Sequence, residues 1–302
     1  MTTLTVDRHE IEVSNPDKVF FPDAGVTKGD LVEYYRKVAE WMLPHLEDRP
    51  LVMHRFPDGI GGTDFIQKDV PDYFPDWIDR ADLKKADGTV THVIASDAAT
   101  LVYLANQAVL TPHVWLSRVD RSNHPDQLIF DLDPGDDPGT VSQAAGWLRE
   151  MLDELGLVPY AKSSGSRGIH VHVPLDRSAD FDEVRAFARD LAGLLEEQHP
   201  EELTTAARKR DRGGRLFLDT MRNAYAQHAV APYGVRDRER APVAVPLDWD
   251  EATASSFDPQ RVTVRNVFRR LSQKDDPWDG MARRARSLGE PRARLDGLLS
   301  DA

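Results

Sequence analysis

Leu31, Tyr34, Val38 and Trp41 recur at helical spacing after Thr27, and Asp30 stands three residues beyond that threonine. The pattern predicts a helix opened by a capping box. Proline and glycine punctuate residues 44–76 heavily, which predicts short strands and loops there. A strand is expected at Thr91–Ala95, running into a helix over Ala98–Leu110 with Ser96 or Asp97 as its cap. Gln127–Asp133 (QLIFDLD) is a short apolar run ending in carboxylates, the pattern of a buried strand. Val141, Ala144, Leu148, Met151, Leu152 and Leu155 form one face of a helix over Thr140–Leu155, closed by Gly156. Pro159–Ser163 and Ile169–Pro174 read as strands around the turn SSGSRG. Asp182–Gln198 reads as a second amphipathic helix built on Val184, Phe187, Leu191 and Leu195. A strand Arg215–Asp219 follows, and Arg261–Leu299 reads as helix with polar breaks. Strands alternating with helices and turns predict an α/β (α+β) chain with a mixed sheet.

The chain has 302 residues, a length that suits one large domain or two fused lobes. Its 40% hydrophobic and 29% charged residues exclude a collagen-like or wholly disordered chain. It has no cysteine, which excludes disulfides, zinc–thiolate sites and thiol nucleophiles. No run of about 18 apolar residues occurs, and the start MTTLTVDRHEIEVS lacks a basic-then-apolar signal pattern. A soluble, cytoplasmic protein without a membrane partner is therefore expected. The 38 Lys and Arg against 51 Asp and Glu leave a formal charge of −13, which on average opposes nucleic-acid binding. The charge is uneven: residues 205–240 hold nine Lys/Arg and four Asp/Glu, and residues 261–294 hold ten and four. An acidic body with two basic stretches is compatible with a nucleic-acid groove, as it is with two solvated faces.

Three segments carry candidate chemistry. In a strand, residues two apart point to the same side, so Asp131 and Asp133 project together from the end of their apolar run. Paired carboxylates repel unless a cation lies between them, and an oxygen-only pair suits Mg²⁺ or Mn²⁺. The alternative is a strand end capped by turn-forming Asp, with DPGDDPG as an ordinary turn. In Ile169–Val173, alternation puts the apolar residues on one face and His170 and His172 on the other. The preceding Ser163–Gly168 offers hydroxyls, backbone N–H groups and the Arg167 guanidinium, ingredients of a phosphate cradle. A polar hairpin beside exposed histidines, or a zinc site using both, are the alternatives. Asp219 ends the apolar strand Leu216–Leu218 and gains meaning if it joins Asp131 and Asp133. Two metals about 3.5–4 Å apart need a shared set of carboxylates.

DLD, then SSGSRGIHVHV, then RLFLD followed by MRNAYAQHAVAPYGVR, in this order, resembles the polymerase domain of bacterial ligase D, in the archaeo-eukaryotic primase superfamily. Asn15–Pro22 (NPDKVFFP), Thr27-Lys28, Arg55–Gly59 (RFPDG) and Gln67-Lys68 extend the resemblance over about residues 10–285. It implies one primase-polymerase catalytic domain, with an N-terminal lobe at about 10–110, a core at 111–285 and a tail at 286–302. Asp131, Asp133 and Asp219 resemble the family's metal carboxylates, holding two Mn²⁺ or Mg²⁺ ions, with Asp219 chiefly serving the catalytic one. His170, Ser164 and Arg167 resemble the triphosphate-binding residues, although the family usually has lysine at the last position. His113 resembles a histidine near the nucleotide sugar, with His-Val-Trp here in place of His-Pro-Trp. Arg222 and Arg236 resemble residues that engage template or triphosphate. Asn15, Lys18 and Lys28 resemble a pocket for a DNA 5′-phosphate. Phe65 and Lys68 resemble base-stacking and template contacts, with Ile66 where the family has a second aromatic.

The resemblance implies a stand-alone polymerase that adds nucleotides to primer 3′ ends at gaps or double-strand breaks. Its partners would be NTPs or dNTPs, gapped, overhanging or 5′-phosphorylated DNA, Ku and a separate DNA ligase, with ribonucleotides favoured. A haloacid-dehalogenase-like phosphatase also places DxD after an apolar strand, but wants a small or hydroxyl residue soon after the second Asp, where this chain has Pro134-Gly135. A non-catalytic DNA-end-binding adaptor is the third reading, and it has no chemical need for three metal carboxylates. The charge average then predicts modest, salt-sensitive DNA affinity that depends on a 5′-phosphate anchor.

Overall fold

Chain order is set by alternating short strands and amphipathic helices. The structure, a computed structural model, describes residues 2–85 and 87–301. The strands are β1 (Thr2–Val6), β2 (His9–Val13), β3 (Val19–Phe21), β4 (Val26–Thr27), β5 (Leu51–Arg55), β6 (Phe65–Gln67), β7 (Arg80–Lys85) and β8 (Gly88–Val93). They continue with β9 (Val109–Trp115), β10 (Gln127–Asp133), β11 (Tyr160–Ser163), β12 (Ile169–Pro174), β13 (Leu203–Thr204), β14 (Leu216–Asp219), β15 (His228–Val230) and β16 (Pro246–Leu247). The α-helices are α1 (Lys28–Leu46), α2 (Ala98–Asn106), α3 (Thr140–Glu154), α4 (Phe181–Gln198), α5 (Trp249–Ala252), α6 (Val267–Leu271) and α7 (Gly289–Asp301). The fold is mixed α and β, as the patterning predicts.

Two compact units form from interleaved segments. One takes the chain up to Asp120 with residues 228–245 and 260–275; the other takes residues 121–227, 246–259 and the chain from Asp276 onward. In the first unit, β15, β9, β5 and β6 make a four-stranded antiparallel sheet, and three two-stranded hairpins surround it. Helix α1 starts at the expected capping box: Asp30 N–H donates to Thr27 Oγ1, and Thr27 N–H donates to Asp30 Oδ2. Its Leu31, Tyr34 and Val38 are buried as the spacing requires. The buried phenols still satisfy their hydroxyls, with Tyr34 donating to Tyr233 O and Tyr35 to Leu110 O.

In the second unit the sheet order is β13-β14-β10-β12-β11-β16, with β13–β14 the one parallel pair among its strands. Leu128, Phe130 and Leu132 share a face with Ile169, Val171 and Val173, fully buried against α3 and α4. Helix α4 begins at Asp180, whose carboxylate accepts from Asp182 and Glu183 N–H while Glu183 reaches back to its amide.

Several expected boundaries move. Helix α2 stops at Asn106 rather than Leu110, because Ala108 turns to φ +61° and Val109 starts β9. The strand expected at Thr91–Ala95 is the end of β8, paired with β7. Helix α1 runs through Pro44 to Leu46, where loop was expected. The tail is less helical than its periodicity suggests: α6 covers five residues, a 3₁₀ turn covers Met281–Arg284, and Gly280 at φ +72° lies between the two, ahead of α7.

Candidate active site

Strand register brings the predicted acidic residues together. Asp131 on β10 lies directly opposite Asp219 on β14, and opposite His170 on β12. Asp133 is two residues along β10 and opposes Phe217, so all three carboxylates emerge on the face away from α3 and α4. The turn after Asp133 is held against the turn before Asp219: Asp136 N–H donates to Gly214 O at 2.8 Å. Gly135 makes that approach possible, since a Cβ there would meet Gly214 O at 1.8 Å.

The carboxylates are surrounded by cationic groups at longer range than a tight pair. His170 Nε2 is 3.4 Å from Asp131 Oδ1, and Arg167 Nη2 is 3.6 Å from Asp133 Oδ1. Arg222 Nε stands between the opposed pair, 3.9 Å from Asp131 Oδ2 and 4.0 Å from Asp219 Oδ2. Asp219 is buried, and burial raises its pKa above the ordinary carboxylate range. The Met221 N–H that donates to its Oδ1 at 2.7 Å, with Arg222, works against that rise, and Asp133 adds to it.

The loop after β11 differs from a ready phosphate cradle. Ser164 Oγ accepts from the backbone N–H groups of Ser166, Arg167 and Gly168 at 3.2, 3.2 and 3.0 Å. The hydroxyl thus organises the turn, and the amides expected to meet phosphate point at it. Gly168 sits so close to β10 that a Cβ would meet Leu132 O at 1.8 Å, which fixes Arg167 beside the carboxylates. The histidines are not exposed: His170 and His172 face a second buried surface, where the Trp278 ring lies 4.7 Å from His172.

Two residues here escape sequence reasoning. Asn223, buried in the 3₁₀ turn after Asp219, accepts from Ile129 N–H at 2.9 Å and donates to Ile129 O at 2.7 Å. It continues the ladder of β10 where β14 has ended, and it carries Arg222 into place. Lys162 on β11 lies directly opposite His170 and has 0% exposure. The MRNAYAQHAVAPYGVR segment contains Asn223 without giving it a role, and Lys162 lies just outside SSGSRGIHVHV; their places come from the pairing of the strands.

The remaining candidates lie in the first unit. His113 on β9 and His228 on β15 share a face, their Nδ1 atoms 2.9 Å apart. Arg236 is largely buried, its amide donating to Pro242 O and its Nε 3.9 Å from Asp237. Asn15 takes a left-handed φ of +49° and opens the turn closed by Lys18 N–H to Asn15 O. Lys28 N–H donates to Lys18 O, so the β3–β4 pairing brings Asn15, Lys18 and Lys28 to one end of a hairpin. Lys18 Nζ contacts Asp58 at 2.6 Å, while Lys28 Nζ donates to Ser14 O and Ser14 Oγ. Burial, with Lys18 nearby, lowers the Lys28 pKa to about 8. Phe65 is 44% exposed on the edge strand β6, and Lys68 is exposed beyond it. Arg55 lies 5.4 Å over the Phe65 ring and donates to the hydroxyl of Tyr73, itself 60% exposed. A second exposed ring therefore comes from Tyr73, outside the segment where the sequence has Ile66.

The donor set fits a hard divalent cation in kind. It is oxygen-only, and the buried Asp219 stands opposed to the half-buried Asp131, with a rise in the Asp219 pKa. Among the described residues no three His, Asp or Glu side chains already converge on one point. Likewise, no helix among the described residues is long and apolar enough to cross a membrane.

A family model described as LigD, primase-polymerase domain, matches residues 27–278, a span that leaves Asn15 and Lys18 outside it. The chain is 33% identical over 279 residues to the multifunctional non-homologous end joining protein LigD of Mycolicibacterium smegmatis, covering 90% of this chain and 36% of that protein. It is 33% identical over 272 residues to the bifunctional non-homologous end joining protein LigD of Bacillus subtilis, covering 89% and 44%. It thus spans less than half the length of these relatives. The solved polymerase domain from Mycobacterium tuberculosis ligase D, in complex with DNA, superposes with a TM-score of 0.85 at 31% identity, over 91% of this chain and 99% of that one. With its acidic strand ends, Ser-Gly-Ser-Arg-Gly hairpin and sheet order in place, the chain belongs to the LigD primase-polymerase domain family of nucleotidyltransferases.

Proposed function

We propose that the chain extends primer 3′ ends at gapped or broken, 5′-phosphorylated DNA in end-joining repair. The observation that carries this reading is the opposition of Asp131 to Asp219, with Asp133 on the same face. Asp131, Asp133 and Asp219 would hold two Mn²⁺ or Mg²⁺ ions. Bound there, such ions supply charge that activates a primer hydroxyl and stabilises a leaving pyrophosphate. His170 and Arg167 border the carboxylates and answer the charge of an incoming NTP or dNTP, while Ser164 keeps Arg167 in place. Arg222, bridging two of the carboxylates, is placed to exchange them for substrate phosphate. His113 and Arg236 serve nucleotide or template in this reading. Asn15, Lys18 and Lys28 hold the 5′-phosphate, and Phe65 with Lys68 contacts the template. In this reading Ku and a DNA ligase are the partners for the whole reaction.

The test is extension of a labelled primer on a gapped, 5′-phosphorylated duplex, with Mn²⁺ or Mg²⁺ and with each sugar type. Extension that stops on chelation is expected. Release of inorganic phosphate without extension would overturn the reading in favour of phosphatase chemistry, and metal-independent end binding without extension would favour an adaptor.

A further inference from the structure

We infer that Asp58 is the internal counter-ion of the proposed 5′-phosphate pocket, a carboxylate that competes with a DNA 5′-phosphate for the Lys18 ammonium. The inference rests on the 5′-phosphate reading of Asn15, Lys18 and Lys28, and adds the residue that sets how tightly the pocket holds an end. Its two lysines are engaged on different terms. Lys28 Nζ donates to Ser14 O at 2.7 Å and to Ser14 Oγ at 2.8 Å, both neutral oxygens. Lys18 Nζ donates to Asp58 Oδ1 at 2.6 Å, within the range of a charge-assisted bond. The ammonium expected to meet phosphate thus already sits on an anion of this chain.

Backbone contacts, not the ion pair, bring the carboxylate there. Strand β5 ends at Arg55, and Gly59 N–H donates to Phe56 O at 3.0 Å, closing the turn that carries Asp58. Ile60 N–H then donates to Phe20 O at 3.0 Å, which fastens the turn to β3, the strand that follows Lys18. Gly59, at φ +75°, permits that approach, since a Cβ there would meet Phe20 O at 2.8 Å. Gly62 closes the other side, where a Cβ would meet Asp58 Cβ at 2.6 Å. An ion pair between two freely moving surface side chains is worth little. This pair instead joins two turns that are locked together without it. Its carboxylate keeps access to water, with the Asp58 side chain 69% exposed, so it can turn to solvent when phosphate takes the lysine.

The exchange favours a terminal phosphate but taxes it. Such a group carries about −1.5 to −2 charges at neutral pH against −1 for the carboxylate, and Lys28 stands by to answer the excess. Every Lys18–phosphate contact nevertheless replaces a Lys18–Asp58 contact, and leaves a like charge close to the phosphate. The affinity of the pocket is therefore a difference between two ion pairs. A strand-sealing reaction consumes the same 5′-phosphate, so a hold that an internal carboxylate can reclaim suits an end that has to be released.

The probe is a gapped duplex with a 5′-phosphate on its downstream strand, compared with its 5′-hydroxyl counterpart. Each is titrated with the full chain by fluorescence anisotropy at pH 7, where Lys28 is charged. D58N keeps the side-chain shape and removes the charge. It should bind the phosphorylated duplex about fivefold more tightly, mostly through slower dissociation, and raise the ratio of the two affinities by about threefold. In a double-mutant cycle the gain should shrink to less than about twofold beside K18M, because Asp58 acts through that ammonium. Affinity equal to or below that of the wild type, an equal gain on both duplexes, or the full gain retained beside K18M would overturn the inference. If D58N does not fold, D58S decides: a raised ratio supports the role and an unchanged one overturns it. Failure of the underlying reading looks different, since the wild type and K18M would then each bind the two duplexes alike, removing the pocket and this role with it.

Discussion

Asp131 and Asp219 face each other across adjacent antiparallel strands, and the Arg222 guanidinium stands about equally far from both, at 3.9 and 4.0 Å. Opposed like charges destabilise a sheet. Burial sharpens the cost, as the raised Asp219 pKa records. Asp219→Asn should therefore lower primer extension by roughly a thousandfold, the loss expected when several kcal/mol of metal charge stabilisation go. Its melting temperature should equal or exceed that of the wild type. Mn²⁺ should raise the wild-type melting temperature and leave that of the variant nearly unchanged, because only the native site binds the ion. Extension retained by the variant, or a large drop in its melting temperature without metal, would break the assignment.

Much of that site is legible from sequence, and for a physical reason. β10 and β12 are short apolar runs with period-two alternation, so Asp131, Asp133 and His170 declare their faces without any tertiary information. β14 is apolar up to its last residue, so Asp219 is marked as a strand end. The pairing of these strands is long-range and leaves no local trace. Lys162 and Asn223 gain their meaning only from which strand lies alongside and where it stops. The same holds for Tyr73, which reaches Phe65 through Arg55 rather than through neighbouring sequence. The tail reads as helix with polar breaks, and Pro277 and Gly280 interrupt it between α6 and the 3₁₀ turn.

Lys28 makes the proposed phosphate pocket sensitive to pH. Its pKa is lowered to about 8 by burial, with Lys18 contributing. Below pH 8 the ammonium is charged and suited to a phosphate; above it the charge is lost. Preference for a 5′-phosphate over a 5′-hydroxyl end should then fall by up to about tenfold per pH unit above 8. Fluorescence anisotropy from pH 6.5 to 9.5 measures it, with Lys28→Met as the variant that has neither preference nor slope. For folding the sign is reversed. The unfolded lysine holds its proton more tightly, so Lys28 costs stability below about pH 8, and that cost fades as pH rises toward the unfolded value of 10.5.

Gly168 and Gly193 form a matched pair for the hairpin. At Gly168 a Cβ would meet the Leu132 carbonyl at 1.8 Å, and a strand backbone cannot yield that distance. Gly168→Ala should cost at least about 1–3 kcal/mol and displace Arg167 from Asp133. Gly193 lies inside α4 with nothing within 4 Å of a built Cβ, so Gly193→Ala should be neutral or stabilising by about 0.5–1 kcal/mol. Thermal melts of the two variants decide the point, and equal stabilities would show that the hairpin is not held against β10 in this way.

Asn223 ties the polymerase reading to the backbone. Its amide satisfies both the N–H and the C=O of Ile129, on the edge of β10 that β14 no longer covers at that position. Asn223→Ala leaves both without that partner, at about 1–3 kcal/mol for each unsatisfied group. Asn223→Asp keeps the acceptor for Ile129 N–H but turns the donor toward Ile129 O into a second acceptor, so it repels the carbonyl and should be no better. Because Arg222 precedes Asn223 and reaches Asp131 and Asp219, loosening this turn should also reduce extension beyond what lower stability explains. Extension measured well below each variant's melting temperature separates the two effects. Rates equal to the wild type under those conditions would confine Asn223 to the fold and remove it from the chemistry.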